Sequence, residues 1–254
     1  MKMFLAIPFY EYYNNSTFIL LRLGGILMPT NYLVGEQTKR KIFKVSRQLF
    51  YKQGYDETTY DDISKLATIN RALIPYYFKN KKNLALLVYQ NFIEDYFAIC
   101  DKALENKEIS DIGRTAFYMC GYYRLLKNRN LTRFLIQFNS DVDYDEKMVI
   151  SKKSIFDMLS IKNSEISPED YEVLSQMDYG IEKELIRIAF YKENTDIDHL
   201  STMELRMILS FLGYSKEHIQ QIIAEAMSHL EETNIILKES FDFELDEHTK
   251  KEVD

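Results

Sequence analysis

Arg71, Ala72 and Leu73 open the stretch RALIPYYFKNKKNL, and a cluster of lysines, Lys79, Lys81 and Lys82, closes it. A guanidinium at the start of a short helix is a planar fork that can take guanine O6 and N7 together, and Ala72 and Leu73 suit contact with thymine methyls. Lys81 falls in the first turn of the helix that follows, where an ammonium and unbonded backbone amides converge on a phosphate. Between these groups Ile74 and Phe78 stand four apart and form an inward pair, which leaves Tyr76 and Tyr77 as core aromatics or as contacts made by ring and hydroxyl.

The charge distribution agrees with a polyanion-facing segment. The chain carries −7 overall, yet residues 38–82 hold eleven Lys and Arg against four acids, or +7, and the remainder has 21 basic against 35 acidic residues, or −14. A basic segment on an acidic body is what a protein shows when only one part of it meets a polyanion. Catalytic chemistry finds little support. There is no GxSxG, phosphate-cradling glycine loop, HExxH or CxxC, and His199, His218, His229 and His248 all lie in the last quarter of the chain. Cys100 and Cys120 are too few and too isolated for a disulfide framework or a metal site, which fits a reducing cytoplasm and implies no cofactor.

The elements that must position these residues are helices. Only eight glycines and four prolines interrupt a chain that is 46% hydrophobic, so the fold class is all-α. Ile42, Val45, Leu49 and Phe50 share one helix face from Thr38 onward, and Gly54 suits a left-handed stop. Thr59 is an N-cap with Asp61 and Asp62 in the first turn of a second helix that turns Ile63, Leu66 and Ala67 inward. Thr68, Ile69 and Asn70 make a short turn, and Asn70 caps a third helix running from Arg71 to about Phe78. Two short helices behind a longer one, joined this tightly, form a helix-turn-helix.

Residues 39–84, KRKIFKVSRQLFYKQGYDETTYDDISKLATINRALIPYYFKNKKNL, resemble the DNA-binding domain of the TetR/AcrR family of bacterial transcriptional regulators. The resemblance rests on Leu49-Phe50, Gly54-Tyr55, Thr58-Thr59, Ile63, Ala67, Tyr77-Phe78, Lys81 and Leu84 in order and spacing. It implies an N-terminal three-helix helix-turn-helix domain followed by a larger helical ligand-binding and dimerisation domain. Partners implied are a double-stranded DNA operator, a small apolar or amphipathic effector and a second copy of the chain, with no membrane. Thr59, Asn70, Arg71, Ala72, Leu73, Tyr76, Tyr77 and Lys81 are the expected DNA contacts; Tyr77 enters as a phosphate or base contact by the resemblance alone. Two positions depart from the pattern: Pro75 stands where a phosphate-binding Tyr is usual, and Thr68 where Gly is common. Pro75 also removes an amide bond back to Arg71, which predicts a loosened helix start.

Beyond the helix-turn-helix the spacing predicts helices over 82–106, 111–127, 131–139, 145–160, 167–191, 201–212 and 215–240. Aromatics crowd this body. Most must be core, and the family resemblance adds an effector pocket drawn from Tyr96, Phe97, Phe117, Tyr118, Tyr122, Phe134, Phe138, Phe156 and Tyr179. Ile219, Ile222, Ile223, Ala226 and Leu230 form an apolar stripe that, with the last two helices, is the expected dimer surface. The domain reading is thus an atypical extension over 1–35, the helix-turn-helix over 36–82, the effector-binding and dimerisation domain over 83–240, and a mobile acidic tail over 241–254. Within the extension, STFILLRLGGILM is too short and too charged for a membrane span. The codons of Gly24-Gly25 can spell a ribosome-binding sequence ahead of Met28, so Met28 is the expected natural start. Two other readings stay open on residues alone: a helix-turn-helix activator or DNA binder without an effector, and a protein-binding helical module.

Overall fold

The computed structural model describes residues 30–143, 167–192 and 194–246. The extension up to residue 29, the helix predicted over 145–160 with Phe156, and residues 247–254 lie outside them.

Helix α1 spans Thr30–Gln53. Its first part, up to Arg40, belongs to a separate compact unit, in which Thr38 Oγ1 donates to the Val34 carbonyl at 2.8 Å. From Lys41 onward the chain forms a second unit. Here α1 is followed by α2 (Tyr60–Ala67) and α3 (Leu73–Phe78), and the three close on Ile42, Phe50, Ile63, Ala67, Ile74 and Phe78. Gly54, at φ +90°, makes the turn out of α1. The body is built from α4 (Lys81–Ala103), α5 (Asp111–Leu125), α6 (Arg129–Asp141), α7 (Pro168–Tyr191), α8 (Ile197–Phe211) and α9 (Lys216–Glu231). Side-chain caps start nearly all of them: Thr59 for α2, Asn80 for α4, Ser110 for α5, Asn128 for α6, Ser167 for α7, Asp196 for α8 and Ser215 for α9.

Helix α5 is buried almost all round and is the axis of the body, with α8 and α9 packed along it. Arg124 ties these three helices together. Its guanidinium grips the Asp198 carboxylate in two bonds, at 2.8 and 3.0 Å, and donates to the Leu230 carbonyl at 2.8 Å. At Gly121 the Tyr96 ring crosses α5 so closely that a Cβ would sit 2.5 Å from its hydroxyl, which donates to the Tyr118 carbonyl at 2.7 Å.

The C-terminal part corrects the sequence reading. The last helix stops at Glu231 rather than near Ser240, and β1 (Asn234–Leu237) pairs antiparallel with β2 (Phe243–Asp246), Asn234 opposite Asp246 and Leu237 opposite Phe243. Residues 241–246, expected to begin a mobile tail, are therefore part of the fold. The physical reason is Phe241, which is fully buried and packs against Tyr51, Phe92 and Phe134 with ring centroids 5.0–5.7 Å apart. Arg47 of α1 holds the hairpin tip: Nε donates to Ser240 O at 2.9 Å, and Nη2 donates to Phe241 O at 2.9 Å and to Asp242 at 3.1 Å. Its Nη1 reaches Asn91 and Asp95 on α4.

Candidate nucleic-acid interface and polar interior

The helix-turn-helix begins with a two-way cap. Thr59 Oγ1 accepts from the Asp62 amide at 3.2 Å, while the Thr59 amide and hydroxyl donate to the Asp62 carboxylate at 2.9 and 2.6 Å. These bonds from Thr59 hold the Asp62 carboxyl below the usual carboxylate range. Thr59 is thus engaged in shaping α2. At its other end α2 closes on Thr68 at φ +54° and ψ +55°, a left-handed cap in which a β-branched residue is strained. Leu66 is half-exposed, so α2 turns Ile63 and Ala67 inward but not Leu66, contrary to expectation.

Asn70 organises the start of α3. Its Oδ1 accepts from the Ala72 amide at 2.9 Å and its carbonyl accepts from the Leu73 amide at 3.0 Å. The helix begins at Leu73 rather than Arg71, which places Pro75 at the third helical position, inside the first turn. Ahead of it the chain is closed by bonds three residues back, Leu73 N to Asn70 O and Ile74 N to Arg71 O at 3.0 and 3.1 Å, in agreement with the loosened start that Pro75 predicts.

Arg71 and Ala72, in the turn before α3, and Pro75 and Tyr76 on it are exposed, and Tyr76 is 75% exposed. Leu73 and Tyr77 are half-buried against the core, with Tyr76 set edge-on to Tyr77. The Arg71 guanidinium is held by Asp61 of α2 at 3.0 and 3.3 Å, a partner the sequence reading missed because the two acids were read only as helix-start charges. Lys81 is also engaged. Its Nζ donates to the Tyr55 carbonyl at 3.1 Å and the Asp56 carbonyl at 3.4 Å and lies 4.4 Å from the Tyr55 ring centre. Arg47, counted with the basic segment, is turned inward to the hairpin with its side chain 13% exposed.

Of the expected pocket aromatics, Phe156 lies outside the described residues, and the other eight are distributed along the body. Phe97 meets Tyr96 and Tyr118, and Tyr96 meets Tyr122, at 5.3–6.2 Å; Phe117 lies buried beside Tyr118. Phe134 and Phe138 instead pack at the seam with the helix-turn-helix, against Phe50 and Tyr55. Tyr179 donates to the Val142 carbonyl at 3.1 Å. The expected dimer stripe is corrected outright: Ile219, Ile222, Ile223, Ala226 and Leu230 are all buried within the protomer, where α9 packs on α5.

Polar groups inside the body were missed. Tyr122 donates to Glu182 of α7 at 3.2 Å. The neighbouring Tyr123 is 1% exposed, and its hydroxyl is set against the carboxylates of Glu204, to which it bonds, and Glu182. Burial, then these carboxylates, pushes both phenol pKa values well above the ordinary tyrosine value. On α6, Asn139 is 3% exposed and neither end of its amide is bonded. The signal was present in the sequence as polar residues on inward faces, Asn139 four after Leu135 and Glu204 four after Leu200.

Residues 42–88 match the family model described as bacterial regulatory proteins, tetR family. This segment is a TetR-family DNA-binding domain. Among relatives, the biofilm operon icaADBC negative transcriptional regulator IcaR of Staphylococcus epidermidis is 28% identical over 175 residues, 68% of this chain and 80% of that protein. The probable HTH-type transcriptional regulator YttP of Bacillus subtilis is 31% identical over 102 residues, 39% of this chain and about half, 48%, of its own length. Two solved structures share the fold: RolR in complex with resorcinol, at 18% identity and a TM-score of 0.60 over 76% of this chain and 96% of that one, and Thermus thermophilus FadR with lauroyl-CoA, at 15% and 0.51 over 67% and 93%. The chain carries a DNA-binding helix-turn-helix of the tetR type, and its relatives are transcriptional regulators rather than enzymes. Among the described residues no helix is long and apolar enough to cross a membrane.

Proposed function

We propose that this TetR-family regulator is a homodimeric repressor that leaves a palindromic operator when its helical body takes up a small molecule. The observation that carries the reading is α4. One helix runs without interruption from Asn80, directly after the recognition helix, to Ala103, and bears Tyr96 at the body's axis. A ligand beside its distal part can thus turn the end that carries α3. Arg71, Ala72, Pro75 and Tyr76 are the base-facing group on this reading, with Leu73 and Tyr77 supporting them. The repressor role is supported by IcaR, named a negative regulator; RolR and FadR, solved with resorcinol and lauroyl-CoA, support an effector.

Because the α9 stripe is used internally, the dimer face moves to the outer side of α8, where Met203 and Phe211 are exposed and Met207, half-buried, lies between them at four-residue spacing. A dimer sets two recognition helices about one DNA turn, roughly 34–36 Å, apart. The test is a titration of candidate effectors with and without operator DNA taken from the neighbouring intergenic region. Linkage requires operator to weaken effector binding by the factor by which effector weakens operator binding. A compound that binds equally in both cases is not the inducer, and a chain that shows no preference for any intergenic duplex over random DNA ends the reading altogether.

A further inference from the structure

Resting on the repressor reading above, we infer that the C-terminal hairpin is a strained clasp that fixes the angle of the DNA-binding domain on the body: the closed clasp holds operator DNA, and its opening releases it.

Helix α1 is gripped at two places. At its end α6 holds it and the turn that follows: Arg133 Nη2 donates to the Lys52 carbonyl at 2.6 Å, Asn128 Nδ2 donates to the Tyr51 hydroxyl at 3.0 Å, and the Tyr55 hydroxyl donates to Asp141. A helix held only at its end can still swing about it. The second grip is at Arg47, five residues before Lys52 and so about 7.5 Å away along the helix axis. There the guanidinium takes the Ser240 and Phe241 carbonyls and the Asp242 carboxylate from the hairpin, and Asn91 and Asp95 from α4. Two grips leave α1 one bearing, and α2 and α3 follow it because they share the core around Phe50, Ile63 and Ile74.

The hairpin makes this grip with a turn held away from its relaxed form. Ser240 and Phe241 are both left-handed, at φ +60° and +63°, and neither is glycine. Residues with a Cβ avoid that region, and two in succession persist only where their surroundings impose it. The surroundings here are Arg47, on the two carbonyls that the turn presents, and the rings of Tyr51, Phe92 and Phe134 around the buried Phe241. A turn that merely joined two strands would be better served by glycine. Strain in the closed form lowers the cost of opening it, which suits a part that moves.

The clasp also touches the body's axis. Phe243, the first residue of β2, stacks on Phe92 at 5.5 Å and meets Tyr96 at 5.8 Å, and Tyr96 is the ring that crosses α5 at Gly121. A molecule that shifts Tyr96 therefore displaces Phe243, two residues from Phe241 and the carbonyl that Arg47 holds. Once α1 is free to swing, the recognition helix points correctly for only a fraction of the time, and apparent operator affinity falls by that fraction.

Hydrogen exchange read by mass spectrometry on the full chain, with and without the intergenic duplex it binds best, tests the clasp. Residues 234–246 are expected to exchange at least about tenfold faster than α5, as a segment that opens by itself, and operator is expected to slow them at least about fivefold, since it favours the closed form. Ser240→Gly, which relieves a left-handed serine, should slow the same residues about fivefold and leave α5 unchanged. Arg47→Met should speed them and weaken operator binding about fivefold or more, and adding Ser240→Gly to it should recover part of both losses. Exchange over 234–246 no faster than over α5, no effect of operator on it, or an Arg47→Met chain whose hairpin opens while operator affinity stays as it was would overturn the inference. Operator binding that tracks the clasp, with no compound able to release it, keeps the clasp and ends the effector reading. A compound that releases operator while exchange over 234–246 is untouched keeps the effector reading and overturns the clasp.

Discussion

Asp61→Asn separates two views of the recognition surface. Arg71 is bonded to Asp61 with both side chains largely exposed, 62% and 72%. At 3.0 Å the Coulomb term in water is about 1.4 kcal/mol, and after side-chain ordering an exposed pair retains about 0–1 kcal/mol. Reading a base requires Arg71 to leave this pair, and Asp61 then faces the phosphates with its charge uncompensated. Removing that charge should therefore tighten specific DNA binding by up to about fivefold at low salt, which is about 1 kcal/mol, with the gain shrinking as salt rises. Fluorescence anisotropy with labelled operator and with random duplex, between 50 and 300 mM salt, measures both. A drop in operator affinity while random DNA is bound as before would refute the reasoning, because it would mean that Asp61 aims the guanidinium at its base rather than competing for it.

The remaining expectations concern stability and reactivity. Phe241→Ala should cost about 3–5 kcal/mol in denaturant unfolding, since a fully buried ring packed on Tyr51, Phe92 and Phe134 leaves a void; a loss under 1 kcal/mol would return the hairpin to the status of a loose tail. Lys81→Ala should lower stability by about 1–2 kcal/mol because two carbonyl bonds and a ring contact go, and leave the salt slope of DNA binding as it was; a slope reduced by about one unit, with stability intact, would make Lys81 a phosphate contact instead. Burial pushes the Cys100 thiol up to about 12 and Cys120 to about 11, so neither should react with a thiol reagent at pH 8 until the chain is unfolded. Because these folded values lie above the unfolded one, the associated stability is complete below about pH 8.5 and is lost as pH rises through the folded values. Melting temperatures taken across pH 8–11 should fall accordingly.

The helix-turn-helix was legible because local signals agree there. Thr59 and Asn70 cap, Gly54 stops α1, and the inward pair Ile74 and Phe78 fixes which face of α3 is left outside. What failed was information carried by distant partners. An apolar stripe such as Ile219 to Leu230 says that one side of a helix is covered, not whether α5 or a second copy covers it. The hairpin carries a period-two pattern in Ile235, Leu237, Phe243 and Leu245, but eight alternating positions around a polar turn weigh little until the body offers a groove. The engaged lysine and arginines were hidden for the same reason: Lys81, Arg47 and Arg71 each find acceptors that sequence distance separates from them.

The Arg47 clamp has a consequence for how the protein is made. The guanidinium and the carbonyls it holds are separated by 193 and 194 residues. At about 5–20 residues per second, a ribosome delivers the second half of that contact about 10–40 s after the first. Closing so long a loop is the slow, entropically costly kind of step. The helix-turn-helix thus leaves the ribosome long before Phe241 can lock its seam to the body, and the bearing of the recognition helix is among the last features a newborn chain acquires.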